Sequence, residues 1–383
     1  MRGVFCIDSN MRRTIIYKVT NGCNLACGYC YERRRLGEMK PCCTDSMADL
    51  LPFLEKEAES NSGNRYMICL HGGEPLLMGI PAFRKIAETL NRLDKNTDNS
   101  FAFSLQTNAS LLTEEWAGAF FDYRHLMGER GVGVSLDGDS QTHDKYRKMI
   151  GGKGSYSSAV KGIRNLQNAG VPFGILSVTT NYSLENTQRI FDAIMALTPK
   201  FWRLLPCYNL NDDGSPLPYS VKPLSYAKYL REIFLLWVKS GLMKKIIVDP
   251  FATIISIIKK QPVPWCEYRE DKCENFLSVE TDGSLCICDT FPIMTYKDET
   301  KLHGCNFHAA LTDMPDYYHA LKHELDSYCQ GQNCSARSVC KGGCYGMRWF
   351  FKEKNKELYD EYCLAKREIV SFIQRMVDKA DKQ

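Results

Sequence analysis

Strand-like and helix-like segments alternate through the first half of the chain. Six short runs rich in β-branched and aromatic residues have the composition of strands: Ile15–Val19, Tyr66–Leu70, Phe101–Gln106, Val132–Leu136, Ile175–Thr179 and Trp202–Leu205. Five segments with helical periodicity separate them, at 45–60, 80–93, 113–127, 155–169 and 184–197. Strands joined through helices pair in parallel. The alternation therefore predicts an α/β fold, either an open doubly wound sheet or a barrel.

A polar or glycine-rich turn follows each of the first five strands. These turns are Cys23–Cys30, His71–Pro75, Gln106–Asn108, Asp137–Gly138 and Thr179–Asn181. In a parallel βα array the carboxyl ends of the strands lie on one face, where the following loops build active sites. One such turn is an ordinary connection, but five together predict a functional site on that face.

The first of these turns carries three cysteines with the spacing C-x3-C-x2-C, namely Cys23, Cys27 and Cys30. A four-iron cluster normally takes four thiolates. Because the turn contains no fourth cysteine, one iron of such a cluster stays open to another ligand. The turn therefore predicts an iron–sulfur cluster with an open iron.

The chain changes character after about residue 206. Residues 207–222 are rich in Asn, Asp, Gly, Ser and Pro, which is typical of a linker, and helical stretches follow near 223–240 and 248–260. Residues 266–363 then hold ten of the eighteen cysteines. We predict three parts: an α/β domain over 1–206, a loop and helical connector over 207–261, and a loop-rich metal-binding domain over 262–383 that ends in a helix.

The cysteines of the last part form two series. They are Cys266-x6-Cys273-x9-Gly283-x4-Cys288 and Cys329-x4-Cys334-x5-Cys340-x3-Cys344, followed by Cys363. Structural zinc is the competing interpretation, but zinc sites favour repeated C-x2-C pairs, which this region lacks. Eight cysteines suffice for two fully ligated four-iron clusters. Iron–sulfur ligation is the interpretation that the spacing favours.

Composition and charge exclude several classes of partner. The chain is 44% hydrophobic and 25% charged with a net charge of +4, and no basic stripe is interleaved with aromatic residues, so nucleic acid is not expected. No signal peptide or bilayer-spanning apolar run is present. We expect a cytoplasmic chain, in which reduced thiols serve metal ligation rather than disulfides.

Three motifs in the first part resemble the radical S-adenosylmethionine (SAM) superfamily: the cysteine turn, His71-Gly-Gly-Glu-Pro75 and Ser135-Leu-Asp-Gly138. The later cysteine array resembles the SPASM auxiliary-cluster domain of ribosomal-peptide maturases and anaerobic sulfatase-maturating enzymes. The resemblance covers roughly 14–205 and 262–365. It implies a partial (β/α)6 TIM-like barrel, then a loop-rich SPASM domain and a C-terminal helix.

The resemblance also implies three [4Fe-4S] clusters, of which one binds SAM through Cys23, Cys27 and Cys30. The first auxiliary cluster would be ligated by Cys266, Cys273, Cys288 and Cys344, and the second by Cys329, Cys334, Cys340 and Cys363. Four residues separate Cys329 from Cys334 where the family usually has two, so Cys305 is the alternative to Cys329. The cysteines without an expected ligand role, predicted as small core or surface residues, are Cys6, Cys42, Cys43, Cys69, Cys207, Cys286 and Cys305.

Contacts to SAM are implied for six residues: Tyr29 at the adenine, Gly72 and Gly73 at the amino group with Glu74 in the same motif, and Ser135 and Arg147 at the ribose and carboxylate. Asp289 directly follows Cys288. Related sulfatase maturases have an aspartate proposed as the base at this position, so Asp289 is the expected catalytic residue.

The activity implied is hydrogen abstraction from a polypeptide residue by a 5′-deoxyadenosyl radical, with a reducing partner such as flavodoxin or ferredoxin. Our first interpretation is a maturase that forms an oxidative cross-link or similar modification in a ribosomally made precursor peptide. The alternatives are an anaerobic sulfatase maturase that forms formylglycine from Cys or Ser, and a small-molecule dehydrogenase or electron carrier. His71 favours the first, because sulfatase maturases usually carry Gln there. We expect leader binding, if any, to use the barrel, the 207–222 loop or a separate protein.

Overall fold

The computed structural model describes residues 12–32, 47–60, 62–127, 131–263, 265–290, 302, 307, 316–331 and 333–382. They divide into two compact units. The amino-terminal unit takes its residues from 10–176 and 275–315, and the carboxyl-terminal unit from 177–274 and 316–383. The boundaries predicted near 206 and 261 stay predictions.

Nine strands are present among the described residues. They are β1 (Arg12–Lys18), β2 (Arg65–His71), β3 (Ser100–Thr107), β4 (Val132–Ser135), β5 (Phe173–Thr179), β6 (Phe201–Pro206), β7 (Ile247–Asp249), β8 (Phe276–Val279) and β9 (Leu285–Cys286). All six predicted runs coincide with β1 to β6. The short strands β7, β8 and β9 were not predicted.

The helices of the described residues alternate with the first six strands and then dominate the chain. They are α1 (Met47–Ser60), α2 (Ile80–Asn96), α3 (Glu114–Asp122), α4 (Ser140–Tyr146), α5 (Tyr156–Asn168), α6 (Asn181–Leu184), α7 (Thr187–Ala196), α8 (Pro223–Lys239), α9 (Phe251–Ile258), α10 (Asp316–Gly331), α11 (Arg337–Cys340), α12 (Tyr345–Lys354) and α13 (Lys356–Ala380). Helix α5 stops at Gly170, whose φ of 69° suits glycine, as predicted. The N-cap Thr44 predicted for α1 lies outside the described residues. No helix of the described residues has the length and apolar character needed to cross a membrane.

In the amino-terminal unit, β1 to β5 pair in chain order and in parallel. This pairing confirms the predicted α/β class. Helices α2 and α3 cover one face, where the ring of Phe83 packs 5.4 Å from that of Phe103 and 5.1 Å from that of Phe120. Alternate residues of β2 are buried, so Cys69 and His71 share the opposite face. That face carries the polar groups of the site.

Strands β8 and β9 extend the sheet of this unit beyond β1. β8 pairs in parallel with β1, with Tyr17 opposite Val279, and β9 pairs antiparallel with β8, with Cys286 opposite Ser278. β9 therefore runs antiparallel to β1 as well, two strands away from it. This position brings Asp289 to Lys18.

The carboxyl-terminal unit is built largely of packed helices. β6 pairs in parallel with β7, and α8 lies against α13. Phe234 of α8 contacts the rings of Phe251 and Phe372, with centroids 5.3 and 5.5 Å away. Both predicted connector helices are present as α8 and α9. Residues 316–331, which lie inside the region predicted to be loop-rich, form α10, because Tyr318, Leu321 and Leu325 line up on one buried stripe.

Candidate active site and cysteine clusters

The cysteine turn after β1 is tied by backbone hydrogen bonds to the chain after α4. Ala26 N donates to Lys148 O at 2.7 Å and Gly28 N donates to Tyr146 O at 2.9 Å. Cys23, Cys27 and Cys30 are all partly buried. Burial, with a smaller contribution from the other thiolates of the turn, raises the pKa of Cys23 to about 12 and that of Cys27 to about 11. Thiols with raised pKa values lose their protons when they bind a metal.

The cysteine sulfurs are spread more widely than the ligands of a single zinc ion. Among the residues described, no three cysteine sulfurs lie within 4.8 Å of one another. Tetrahedral zinc with Zn–S bonds of about 2.3 Å holds its sulfurs only about 3.8 Å apart. In a four-iron cluster the thiolates bind different iron atoms and stand further apart. The donor sets therefore fit clusters.

Gly72 and Gly73 allow the second turn to pack directly on the cysteine turn. A Cβ on Gly73 would lie 2.1 Å from the Gly22 carbonyl oxygen, and one on Gly72 would lie 2.3 Å from that of Thr20. Gly73 N also donates to Thr20 O at 2.8 Å. The need for glycine thus arises from backbone contact between two turns. The SAM contacts of both residues stay predictions.

Glu74 joins the second turn to the third. Its buried carboxylate accepts hydrogen bonds from Thr107 Oγ1 at 2.6 Å, Asn108 N at 2.8 Å and Leu76 N at 3.0 Å. Burial raises the pKa of Glu74 to about 7, while these hydrogen bonds oppose that rise. Asn108 Nδ2 in turn lies 3.8 Å from Cys23 Sγ. Glu74 positions the turns around the cysteines.

The fourth turn contributes Asp137, which we did not predict as a site residue. Arg147 Nε donates to Asp137 Oδ2 at 2.9 Å, and the hydroxyl of Tyr29 donates to the same oxygen. The Arg147 guanidinium lies 5.4 Å from the centre of the Tyr29 ring, and against the effect of burial its charge lowers the pKa of Cys27. Two predicted SAM-contacting residues are thereby fixed by one carboxylate. The signal in the sequence was an acidic residue directly after an apolar strand.

His143 and Ser135 complete this side of the site. Asp137 N donates to His143 Nδ1 at 3.3 Å, so the Nε2 proton points to Ser155 Oγ at 3.0 Å. Burial lowers the pKa of His143 to about 4. Ser135 Oγ accepts a hydrogen bond from Gln106 Nε2 at 3.0 Å. Four of the five predicted turns thus meet at the cysteines, and the fifth belongs to the carboxyl-terminal unit.

Asp289 lies in a cluster of charged residues at the carboxyl ends of β1 and β2. Tyr31 Oη donates to Asp289 Oδ2 at 2.8 Å, and Lys18 Nζ lies 3.8 Å from the same oxygen. Lys18 also forms a buried ion pair with Glu32. The side chain of Asp289 is 21% exposed, whereas that of Lys18 is 1% exposed. Asp289 is therefore the member of this group that a substrate can reach.

His71 belongs to the same cluster, since it stands opposite Lys18 in the strand register. One ligand atom each of Glu32, His71 and Asp289 falls within 4.8 Å of the others. The Lys18 ammonium already supplies the positive charge between the two carboxylates, so the trio does not require a metal ion. Burial lowers the pKa of His71 to about 4, and its Nδ1 has no hydrogen-bond partner among the described residues. His71 therefore offers a neutral imidazole to the site.

Cys329, Cys334, Cys340 and Cys363 line one cavity in the carboxyl-terminal unit. This grouping includes Cys329 in spite of its unusual spacing. The alternative, Cys305, lies outside the described residues, as do Cys6, Cys42 and Cys43. The ligand roles of the four cysteines stay predictions.

Two buried cations stand beside cysteines and form no ion pair among the described residues, although Glu270 acts on Lys272 from further away. Arg348 is 1% exposed, and its guanidinium donates to Cys329 Sγ at 3.0 Å. Lys272 is 1% exposed and donates to the carbonyls of Lys341 and Gly343. A buried charge is costly unless it is paired. Because thiolate-ligated clusters are anionic, these unpaired cations fit clusters at the cysteines.

The remaining predicted ligands are divided between the units. Cys266, Cys273 and Cys344 belong to the carboxyl-terminal unit, where a Cys344 thiolate raises the already burial-raised pKa of Cys266. Cys288 belongs to the amino-terminal unit beside Asp289. Of the cysteines predicted to have no ligand role, Cys207 and Cys286 are buried in the core as expected.

Known proteins resemble both the sequence and the fold of the chain. A family model described as the radical SAM superfamily matches residues 17–194. A cysteine-type anaerobic sulfatase-maturating enzyme of Clostridium novyi (strain NT) is 28% identical over 344 residues, which cover 86% of this chain and 87% of the relative. A serine-type enzyme of Bacteroides thetaiotaomicron is 27% identical over 342 residues, covering 84% and 80%.

The fold is similar to that of native anSMEcpe with bound AdoMet and the Cp18Cys peptide. The TM-score is 0.77 at 22% identity, and the match covers 97% of this chain and 99% of that one. This similarity confirms the predicted mixed α/β fold, with a parallel sheet of the same type and a C-terminal extension.

Proposed function

Residues 17–194 form a radical SAM domain, and from that premise we propose that the chain is an anaerobic maturase that oxidises a cysteine or serine of a polypeptide to formylglycine. The observation that carries the proposal is Asp289, a partly exposed carboxylate held between Tyr31 and Lys18 in the same unit as the cysteine turn. Similarity to sulfatase-maturating enzymes over most of both chains supports this activity.

The domain implies SAM and one [4Fe-4S] cluster, which Cys23, Cys27 and Cys30 would hold. We propose two auxiliary [4Fe-4S] clusters at the other predicted cysteine sets. When bound, SAM and the clusters supply a hydrogen-abstracting radical and an acceptor for an electron. Flavodoxin or ferredoxin would be the reducing partner.

The substrate loses one hydrogen atom from Cβ, one proton from its thiol or hydroxyl, and one electron. This two-electron oxidation converts serine directly to the aldehyde. Cysteine becomes a thioaldehyde, which water converts to the same aldehyde with release of hydrogen sulfide. Asp289 takes the thiol or hydroxyl proton as the general base.

Neighbouring side chains hold Asp289 in place for this role. The Tyr31 hydroxyl donates to it, and the Lys18 ammonium lies close enough to favour its charged form. Glu32 balances the charge of Lys18, whose side chain is buried. This arrangement leaves the exposed edge of the Asp289 carboxylate for the substrate.

One observation favours the precursor-peptide maturase as the second candidate. His71 occupies the position before Gly72-Gly73-Glu74-Pro75 where sulfatase maturases usually carry Gln, and it places a neutral imidazole beside Asp289. The relatives support this candidate less than they support sulfatase maturation. A small-molecule dehydrogenase or electron carrier has no supporting observation of its own.

The deciding experiment gives the reconstituted, reduced enzyme SAM and a matched pair of sulfatase-derived peptides that differ only in carrying Cys or Ser at the target position. An aldehyde that reacts with a hydrazide, formed together with 5′-deoxyadenosine, supports the proposal. No aldehyde from either peptide, with a cross-linked product from a precursor peptide encoded beside this gene, contradicts it and supports the second candidate.

A further inference from the structure

We propose that Arg348 is the fixed counter-charge that raises the reduction potential of the second auxiliary cluster. The inference rests on the proposed function, since it requires a cluster in the cavity lined by Cys329, Cys334, Cys340 and Cys363. Arg348 is a positioning residue in this role because it acts on the cluster through a ligand sulfur.

The guanidinium is held in one place by several contacts. Its Nη1 donates to Cys329 Sγ at 3.0 Å and to Gly342 O at 3.1 Å, and its Nη2 donates to Tyr359 Oη at 2.9 Å. The rings of Tyr328 and Tyr359 flank it, with centroids 5.2 and 5.1 Å from the guanidinium carbon. Such a side chain cannot turn away when the cluster changes charge.

Arg348 is the one buried cation of the cavity lining that has no carboxylate partner among the described residues. Lys366 pairs with Glu267 at 3.2 Å, so its charge is largely cancelled. Arg367 is exposed and Arg337 is partly exposed, so water screens both. Arg348 has only neutral groups and Cys329 as partners, and its Nε has no hydrogen-bond partner.

A cluster ligated by four thiolates is anionic, and reduction adds one more negative charge. A cation fixed in dry surroundings stabilises the reduced form more than the oxidised form. Hydrogen bonds to the ligand sulfurs and nearby positive charge both raise the reduction potential of a cluster. Arg348 supplies both effects at Cys329, so it makes this cluster a better electron acceptor.

The test is a redox titration, followed by electron paramagnetic resonance, of the reconstituted full chain and three variants. Arg348→Gln removes the charge and Arg348→Lys keeps it. Lys352→Gln is the control, because Lys352 is an exposed cation on the same helix and pairs with Glu324. We expect Arg348→Gln to disfavour reduction of one cluster at least tenfold, a negative shift of about 59 mV for one electron. Arg348→Lys and Lys352→Gln should keep the wild-type potential.

An unchanged potential in Arg348→Gln overturns the inference, and so does an equal shift in Arg348→Lys. If Arg348→Gln does not retain the cluster, the test depends on Arg348→Lys. A role based on charge requires the cluster of Arg348→Lys to keep a potential near that of the wild type. If the wild-type protein does not contain this cluster, the inference is wrong, because it requires a cluster in the cavity. A potential shift in an enzyme that forms no aldehyde refutes the proposed function and leaves this inference standing.

Discussion

The carboxylate of Asp289 is the residue on which the proposed chemistry depends most directly. Replacing it with Asn keeps the size and the hydrogen bond from Tyr31 but removes the base. We expect Asp289→Asn to lower aldehyde formation by about 10²-fold or more, the usual contribution of general base catalysis. Release of 5′-deoxyadenosine should continue, because the cysteine turn is untouched. Full substrate modification by the variant would show that Asp289 is not the base.

Gly73 leaves less room for a side chain than Gly72, the other glycine of its turn. Gly73→Ala places a methyl group 2.1 Å from the Gly22 carbonyl oxygen, so the cysteine turn must move. We expect loss of the SAM-binding cluster and of 5′-deoxyadenosine formation, measured by iron content and chromatography. Gly118→Ala is the matched control, since nothing lies within 4 Å of its Cβ and a helical glycine gains about 0.5–1 kcal/mol as alanine. Normal 5′-deoxyadenosine formation in Gly73→Ala would contradict the packing argument.

Site residues that belong to a sequence motif could be predicted. Residues whose role depends on tertiary contacts could not. The cysteine sets were predicted from their spacing and the family resemblance, and Asp289 from the resemblance, and their roles stay predictions. Lys18 and Glu32 could not be placed, because their pairing depends on how the chain folds back after the cysteine turn. The signal was present in Lys18, a charged residue inside an otherwise apolar strand-like run.

Among the elements, the six main strands were predicted and the short ones were not. β8 and β9 contain four and two residues, too few to display a period of two. They exist because β1 offers an unpaired edge, a tertiary cause that no local pattern contains. Their position decides that Asp289 lies beside Lys18, so the site itself could be predicted only in part.

Helix α4 carries the group with the clearest expected pH dependence. The folded-state pKa of His143 is about 4, below the usual value of 6.5, so its contribution to stability is complete above pH 6.5. As the pH falls from 6.5 to 4, the unfolded chain binds a proton at this histidine that the folded chain does not bind. The free energy of unfolding therefore decreases. We expect His143 to contribute a loss of about 2 kcal/mol between pH 7 and pH 5, measured by urea unfolding at both pH values under anaerobic conditions.

His143→Gln retains an acceptor and a donor at this position but cannot titrate. Its stability should therefore depend less on pH between 6.5 and 4 than that of the wild type. His125→Gln replaces an exposed histidine and should keep the wild-type dependence. Identical pH dependence in His143→Gln and wild type would rule out His143 as the titrating group.

For the whole molecule, the proposed cofactors set the metal content. Three four-iron clusters require about 12 irons per chain after anaerobic reconstitution. Replacing Cys334 and Cys363 together with Ala should remove about four of these irons and leave 5′-deoxyadenosine formation intact. About four irons per wild-type chain, accompanied by zinc, would contradict the assignment of the auxiliary clusters.

The unpaired cations Lys272 and Arg348 also have a consequence for how the protein is made in the cell. A newly synthesised chain that has not received its iron would have to bury both cations without the anionic clusters beside them. We expect such a chain to leave this region loosely folded and open to proteases until cluster insertion completes it. The supply of iron–sulfur clusters then determines how much of the protein escapes degradation. The cellular abundance of the protein should therefore follow cluster supply even when transcription is constant.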